Sequence, residues 1–314
     1  MRKWIFYSAF LLATTGHSQD STQQFHGAWD SVSARTNIDK KRQRIVGATH
    51  ATIYGGWLLM LNATWYKDYP RSKFHTFDDW GEWQHMDKVG HGWTVYTSSR
   101  ISYGLWRWAG VSNKKAVLYS APPALAYMLA VEYLDGRSAE WGWSWGDAGA
   151  NAFGAAFFAA QQLAWDEQKV QFKFSSHPVT YPSDTKQRAS ELYGTGFLER
   201  TLKDYNGQSY WLSAGLPRSW NLPKWLQVSV GYGAAGMLGG YENVAFDKNG
   251  VMTFNRPDIK RYRQWYLAPD IDLTKIKTKS KVLKTVFYTL NSLKFPAPTL
   301  ELSNGRLKGH WLYF

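Results

Sequence analysis

Three short polar sets interrupt otherwise apolar, uncharged stretches of the chain: Asp87-Lys88-x-x-His91, Glu132-x-x-Asp135-Gly136 and Asp147-x-x-x-Asn151-x-x-Gly154. Within each set the spacing is one or two helical turns, so the polar side chains share a helix face. If these helices pack as neighbours, His91, Glu132, Asp147 and Asn151 converge. Ionised groups buried without partners are costly, so such a set must pair internally, bind a cation or titrate to neutral forms. Lys88 is the internal counter-charge. Imidazole and carboxylate ligands suit zinc, manganese or magnesium, with His91, Glu132 and Asp147 as the candidate ligands, although the spacing H-E-x-x-H is absent.

The same residues are the catalytic candidates: Asp87, Lys88, His91, Glu132, Asp147 and Asn151. In an enzyme His91 would act as acid or base, Glu132 and Asp147 would orient it or hold a metal, and Lys88 with Arg137 would meet an anion. The chain has no G-x-S-x-G nucleophile motif, no paired-histidine phosphatase signature and no phosphate loop. The other reading is a hydrogen-bonded internal network that fixes helix packing. Access separates the two, since a site needs a cleft and a packing network can be closed to solvent. No cofactor follows from these residues.

The elements that must position these groups read as helices. A helix is expected over 86–103, carrying Asp87, Lys88 and His91 on one face. Ser112-Asn113 offers a cap before the apolar run 116–131, which Pro122-Pro123 interrupts, and the helix proper runs on to Glu132 and Leu134. Asp147 is placed to cap a helix over 148–165, whose alanines 148, 152, 155, 156 and 159 allow close helix approach. His50 lies in the uncharged run 45–66, which follows the basic cluster Lys40-Lys41-Arg42-x-Arg44, and is expected to be a satisfied core histidine. That run reads as a buried or interface-lying helix as readily as a spanning one. The segment Phe74-His75-x-Phe77-Asp78-Asp79 reads as a polar, Asp-rich loop, and Trp141, Trp143 and Trp145 suit a bilayer surface.

From Phe172 onward glycine, proline and aromatic residues punctuate short segments. Strands are expected over 225–232 and 261–268, a helix over 280–293, and a hairpin in 299–314 around Ser303-Asn304-Gly305. The stretch 231–240 is too glycine-rich to assign to loop or strand. A terminal aromatic after an alternating strand is a feature of outer-membrane barrels, but too few alternating segments of about ten residues exist for a full one. The expected architecture is mainly α: a bundle of about four to six helices followed by a mixed α+β carboxy-terminal region with short strands. The expected organisation is a signal peptide over 1–19, a helical core domain with the polar set over 20–175, and the mixed region over 176–314.

The first residues have the layout of an export signal: Arg2 and Lys3, an apolar stretch over 4–13, then Gly16 and Ser18 before a cut at Gln19. The chain has no cysteine, which excludes disulfides, thiolate metal sites and a lipidated amino terminus. It is basic, with a formal net charge of +13, and rich in aromatics, with 18 Trp, 19 Tyr and 16 Phe. Exported basic proteins meet anionic lipid or glycan phosphates more readily than nucleic acid. The partners expected are therefore the outer membrane or an anionic lipid or glycan, with other envelope proteins beside them, in the periplasm or at the outer membrane.

The order D-K-x-x-H, E-x-x-D, D-x-x-x-N-x-x-G resembles the motif set of uncharacterised periplasmic proteins of the YfiM type and, more distantly, of VanZ-like membrane proteins. The matching residues are Asp87, Lys88 and His91, then Glu132 and Asp135, then Asp147, Asn151 and Gly154, and the resemblance spans about residues 45 to 165. It implies an envelope location and a helical core, and no established reaction, cofactor or ligand. The chain departs from the lipoprotein members in having no cysteine to lipidate.

Overall fold

The computed structural model describes residues 39–56, 58–60, 70–247 and 249–314. The export signal over 1–19 and part of the uncharged run 45–66 lie outside these residues. The chain divides into a helical unit, residues 39–80 with Lys88–Lys169, and a strand-rich unit, Gly81–Asp87 with Val170–Phe314. Helices therefore come first and a mixed region follows, as composition and periodicity lead one to expect. Among the described residues no helix is long and apolar enough to cross a membrane.

In the helical unit α1 (Lys40–His50) starts at Asp39, whose carboxylate accepts from the Arg42 amide at 3.0 Å, and it passes into a π-helical turn, Ala51–Gly55. Helix α2 (Met86–Trp108) outruns the expected 86–103. It stops where Gly110 adopts φ +81°, which lets the Val111 amide bond back to the Trp106 carbonyl at 3.1 Å and the Gly110 amide to Arg107 at 3.0 Å. This doubly bonded glycine stop is open to glycine because it has no Cβ to clash. After the short α3 (Asn113–Leu118), α4 (Ala121–Gly136) carries Pro122 and Pro123 in its first turn, where their missing N–H groups cost nothing.

Helix α5 (Trp145–Trp165) begins earlier than expected, and its cap is Ser144 rather than Asp147. The Ser144 hydroxyl accepts from the Asp147 amide at 3.0 Å. Close approach of α5 to α2 does not use the full alanine stripe either, since Ala152 and Ala156 are exposed. It uses Gly154: a Cβ there would sit 2.2 Å from the Gly92 carbonyl oxygen and 3.1 Å from the Tyr96 nitrogen. Backbone meets backbone at this point, and the polar residues on the same face of α5 are carried in with it.

The strand-rich unit holds a six-stranded antiparallel sheet of β1 (Val170–Ser176), β2 (Gln208–Gly215), β3 (Leu226–Ala235), β6 (Tyr262–Ile271), β7 (Ala297–Ser303) and β8 (Arg306–Tyr313), in that spatial order. Strands β4 (Val244–Phe246) and β5 (Met252–Asn255) pair apart from it. Helices α6 (Ser183–Tyr193) and α7 (Phe197–Lys203) lie between β1 and β2, and α8 (Lys281–Leu290) lies between β6 and β7. The second edge of β1 is also bonded: Phe174 N–H reaches the Ser292 carbonyl at 3.0 Å and the Lys294 N–H reaches the Phe174 carbonyl at 2.8 Å.

The glycine-rich stretch left open between loop and strand is strand as far as Ala235. Trp211 explains why: a Cβ at Gly231 would lie 2.6 to 2.9 Å from three of its ring atoms, so the indole occupies the space a side chain would need. The β7–β8 connection is the two-residue turn expected, with Asn304 at φ +50° and Gly305 at φ +69°.

Candidate functional site

Two pairs of residues, a glutamate and a loop build the polar centre of the helical unit. On α2, Lys88 and His91 stand one turn apart; on α5, Asp147 and Asn151 are four residues apart, and Glu132 comes from α4. The loop over 70–79 is held by its backbone to the segment 136–143. His75 N–H donates to the Gly136 carbonyl at 3.0 Å, Phe77 N–H donates to the Trp143 carbonyl at 2.9 Å, and Trp143 N–H donates to the His75 carbonyl at 2.9 Å. This docking brings Asp79 inward to 2 % exposure.

Lys88 is the hub. Its ammonium lies 2.8 Å from Asp79 Oδ2 and 2.9 Å from Asp147 Oδ1, with all three side chains buried. Ser144 Oγ donates to Asp79 Oδ1 at 2.5 Å while it accepts from the Asp147 amide. Asp79, Lys88, Asp147 and Ser144 thus form a closed ring of charged and neutral contacts. The aliphatic stem of Lys88 passes Gly146, where a Cβ would meet its Cε at 2.9 Å.

His91 sits beside this ring. Its Nδ1 is 3.2 Å from Asn151 Oδ1 and 3.6 Å from Glu132 Oε1, and its Nε2 is 3.9 Å from Asp147 Oδ1. A proton on Nδ1 donating to Asn151 leaves Nε2 as the nitrogen turned toward Asp147. Asn151 is wholly buried, and its Nδ2 has no hydrogen-bond partner among the described residues. Asp87 precedes His91 by one turn of α2 and is buried. The Asp87 carboxylate accepts from the Tyr205 hydroxyl at 2.9 Å.

All six residues proposed from the sequence are therefore buried, and His91 reaches Glu132, Asp147 and Asn151 as the helical spacing suggested. Asp135 is buried on α4 three residues beyond Glu132, and Arg137 is exposed. Sequence reasoning missed two members. Asp79 falls in the segment that reads as a polar, Asp-rich loop, and Ser144 lies just before the helix expected over 148–165. Ser144 had a legible signal, because serine three residues before an acidic residue at a helix start is capping spacing. Asp79 had none, since its loop is fixed by backbone bonds to a distant segment.

Of the tryptophans, Trp141 is buried and Trp145 is exposed, with the Trp143 and Trp145 rings edge to face at 5.3 Å. His50 is a hydrogen-bonded helix histidine, its Nδ1 2.7 Å from the Val46 carbonyl and its Nε2 2.6 Å from Ser102 Oγ. Burial pushes the His50 imidazole below its ordinary value, with the Val46 hydrogen bond acting in opposition. The folded state then binds fewer protons than the unfolded one between the lowered value and 6.5, so the His50 contribution is complete above that window and is lost as pH falls through it. Melting curves across about pH 5 to 7 are expected to show a shallower loss of stability for His50→Gln than for the wild type.

Residues 77–162 match the model of a family described as predicted periplasmic lipoprotein (DUF2279). No curated protein and no solved structure matches the chain. The matched segment contains Asp79, Lys88, His91, Glu132, Ser144, Asp147 and Asn151, so the whole polar centre of the helical unit lies in it. The match carries the periplasmic side of the resemblance drawn from the three polar sets, and does not single out the YfiM type or VanZ-like proteins. A lipoprotein is lipidated on cysteine, and the 314 residues have none.

Proposed function

We propose that this protein is a structural or binding component of the cell envelope, at the periplasm or outer membrane, whose polar centre locks α2, α4, α5 and the 70–79 loop into one arrangement. The observation that carries this reading is the closed ring around Lys88, in which one ammonium is shared by two carboxylates and none of the side chains is more than 7 % exposed. A ring so shielded is suited to specifying a packing and poorly suited to admitting a bulky substrate. The basic balance of the chain and its partners in this reading, an anionic lipid or glycan and other envelope proteins, go together.

A second reading rests on a separate observation, the buried His91 imidazole standing between the carboxylates of Glu132 and Asp147 at 3.6 and 3.9 Å. Carboxylates outnumber cationic groups there, and a divalent cation would offset the excess, leaving the chain as a metal-assisted envelope enzyme acting on a lipid- or glycan-phosphate. In that case the imidazole and carboxylate oxygens of these three residues would hold the ion. Metal analysis of the purified wild type beside His91→Ala and Asp147→Ala, with circular dichroism and thermal melting of each, decides between them. The network reading expects no stoichiometric metal and early melting of both variants. Stoichiometric metal that is lost in variants still folded would replace it with the metal-assisted one.

A further inference from the structure

The sheet of the strand-rich unit has its polarity reversed. In an antiparallel sheet of a water-soluble protein the apolar face turns to the core and the polar face to solvent. Here the enclosed face carries, beside the aromatic cluster of Trp211 and Tyr266, a series of buried polar and charged pairs. Lys173 lies 2.8 Å from Asp270, which Lys294 also approaches at 3.7 Å. Ser213 and Ser229 share a hydrogen bond across β2 and β3 at 2.7 Å. Glu301 accepts from Ser303 at 2.5 Å and from Gln264 at 3.0 Å, and it lies 2.7 Å from His310 Nε2.

The opposite face is apolar and exposed. The register sets Leu212, Val230, Leu267 and Leu300 side by side on four successive strands. One pleat along, Tyr232, Trp265, Leu302 and Leu307 form a second row. Val230 is 54 % exposed, and Trp311 farther along β8 is 88 % exposed. Strands with polar residues inside and apolar residues outside, and with aromatics among the outer ones, are the pattern of a sheet whose surroundings are hydrocarbon.

A second element of the same unit points to the same occupant. Helix α8 buries none of its residues, and Val282, Leu283 and Val286 are all exposed. Lys275, Lys277, Lys279, Lys281 and Lys284 precede or enter it. An apolar helix face with a cluster of lysines is complementary to an anionic lipid surface, where acyl chains take the one and head groups the other. A protein partner would explain the apolar rows but gives no reason for the lysines.

We infer that the outer face of β3, β6, β7 and β8 packs against the acyl chains of a lipid bilayer, with the lysines in and just before α8 on anionic head groups. This deepens the envelope reading above and rests on it for the identity of the membrane. The physical claim is tested on the purified full-length chain and the envelope claim by fractionating cells, so either can fail alone.

The test is flotation with vesicles of phosphatidylethanolamine and phosphatidylglycerol. The wild type is expected to float, with Val230→Asp/Leu267→Asp bound about tenfold less and Lys279→Gln/Lys281→Gln/Lys284→Gln losing the salt-sensitive part of the binding. Because charges on the sheet can also disturb folding, a milder pair of substitutions supplies a second readout. Acyl-chain-brominated lipid is expected to quench wild-type tryptophan fluorescence, and to quench Trp265→Phe/Trp311→Phe less. Wild type that stays with the lipid-free fraction, or quenching unchanged in the tryptophan variant, overturns the inference. So does self-association in sedimentation without flotation, which would assign the face to a second copy.

Discussion

Lys88→Met is expected to cost the helical unit about 3 to 5 kcal/mol, measured as the change in unfolding free energy in a denaturant titration followed by circular dichroism. Methionine keeps the stem that packs on Gly146 and removes only the charge. What remains is Asp79 and Asp147, both 2 % exposed, facing the place of the lost ammonium with Ser144 as a shared neutral neighbour. The penalty comes from those stranded carboxylates and not from the intrinsic worth of an ion pair. The combination Lys88→Met/Asp79→Asn/Asp147→Asn is therefore expected to recover much of the loss, because it removes the charges together. If the single and the combined variants are equally destabilised, the ring contributes through shape alone. A Lys88→Met variant as stable as the wild type would mean that the carboxylates find another counter-charge, and the packing role proposed for the ring would go with it.

Much of this centre is legible in the sequence because helical geometry is local. The spacing Lys88-x-x-His91 and Asp147-x-x-x-Asn151 fixes which side chains share a face before any tertiary contact exists, and Gly154 marks the place where two backbones touch. The partner that completes the ring, Asp79, is delivered by a loop docked through backbone bonds to residues 136–143, and such bonds leave no trace in side-chain pattern. Both Ser144 and Asp147 are residue types that cap; Ser144 takes the cap of α5, and the Asp147 carboxylate is turned to Lys88. Alternation predicts strands over 225–232 and 261–268 and a hairpin in 299–314, and does not mark β1, β2, β4 or β5; where it is present, that period is symmetric. Alternation in Leu226–Ala235 states that two faces differ in polarity and not which of them is enclosed. The buried Lys173–Asp270 pair and the exposed Val230 and Leu267 supply the missing sign.

That sign makes a contrast between two tryptophans the most direct measurement in the strand-rich unit. Trp211→Ala is expected to lower stability by about 3 to 5 kcal/mol in a thermal or denaturant melt. The indole is 1 % exposed, donates from Nε1 to Ser175 Oγ at 2.9 Å, and packs against Tyr266 with ring centroids 5.4 Å apart. Lys294 lies over the ring at 5.1 Å, so truncation also removes the aromatic cover from an enclosed cation. Collapse cannot close the space cheaply, since the strand opposite offers Gly231, whose missing side chain is what the indole replaces. Trp311→Ala, on the exposed face, is expected to stay within about 0.5 kcal/mol of the wild type in water and to lose its neutrality only when lipid is present. In a sheet of ordinary polarity a tryptophan on the face that bears the charged pairs would be the dispensable one and a tryptophan on the face that bears the leucines and valines the anchor. Finding the two effects the other way round in water, with Trp211 dispensable and Trp311 essential, would show that the apolar rows form a core and that the polar face is the one open to solvent.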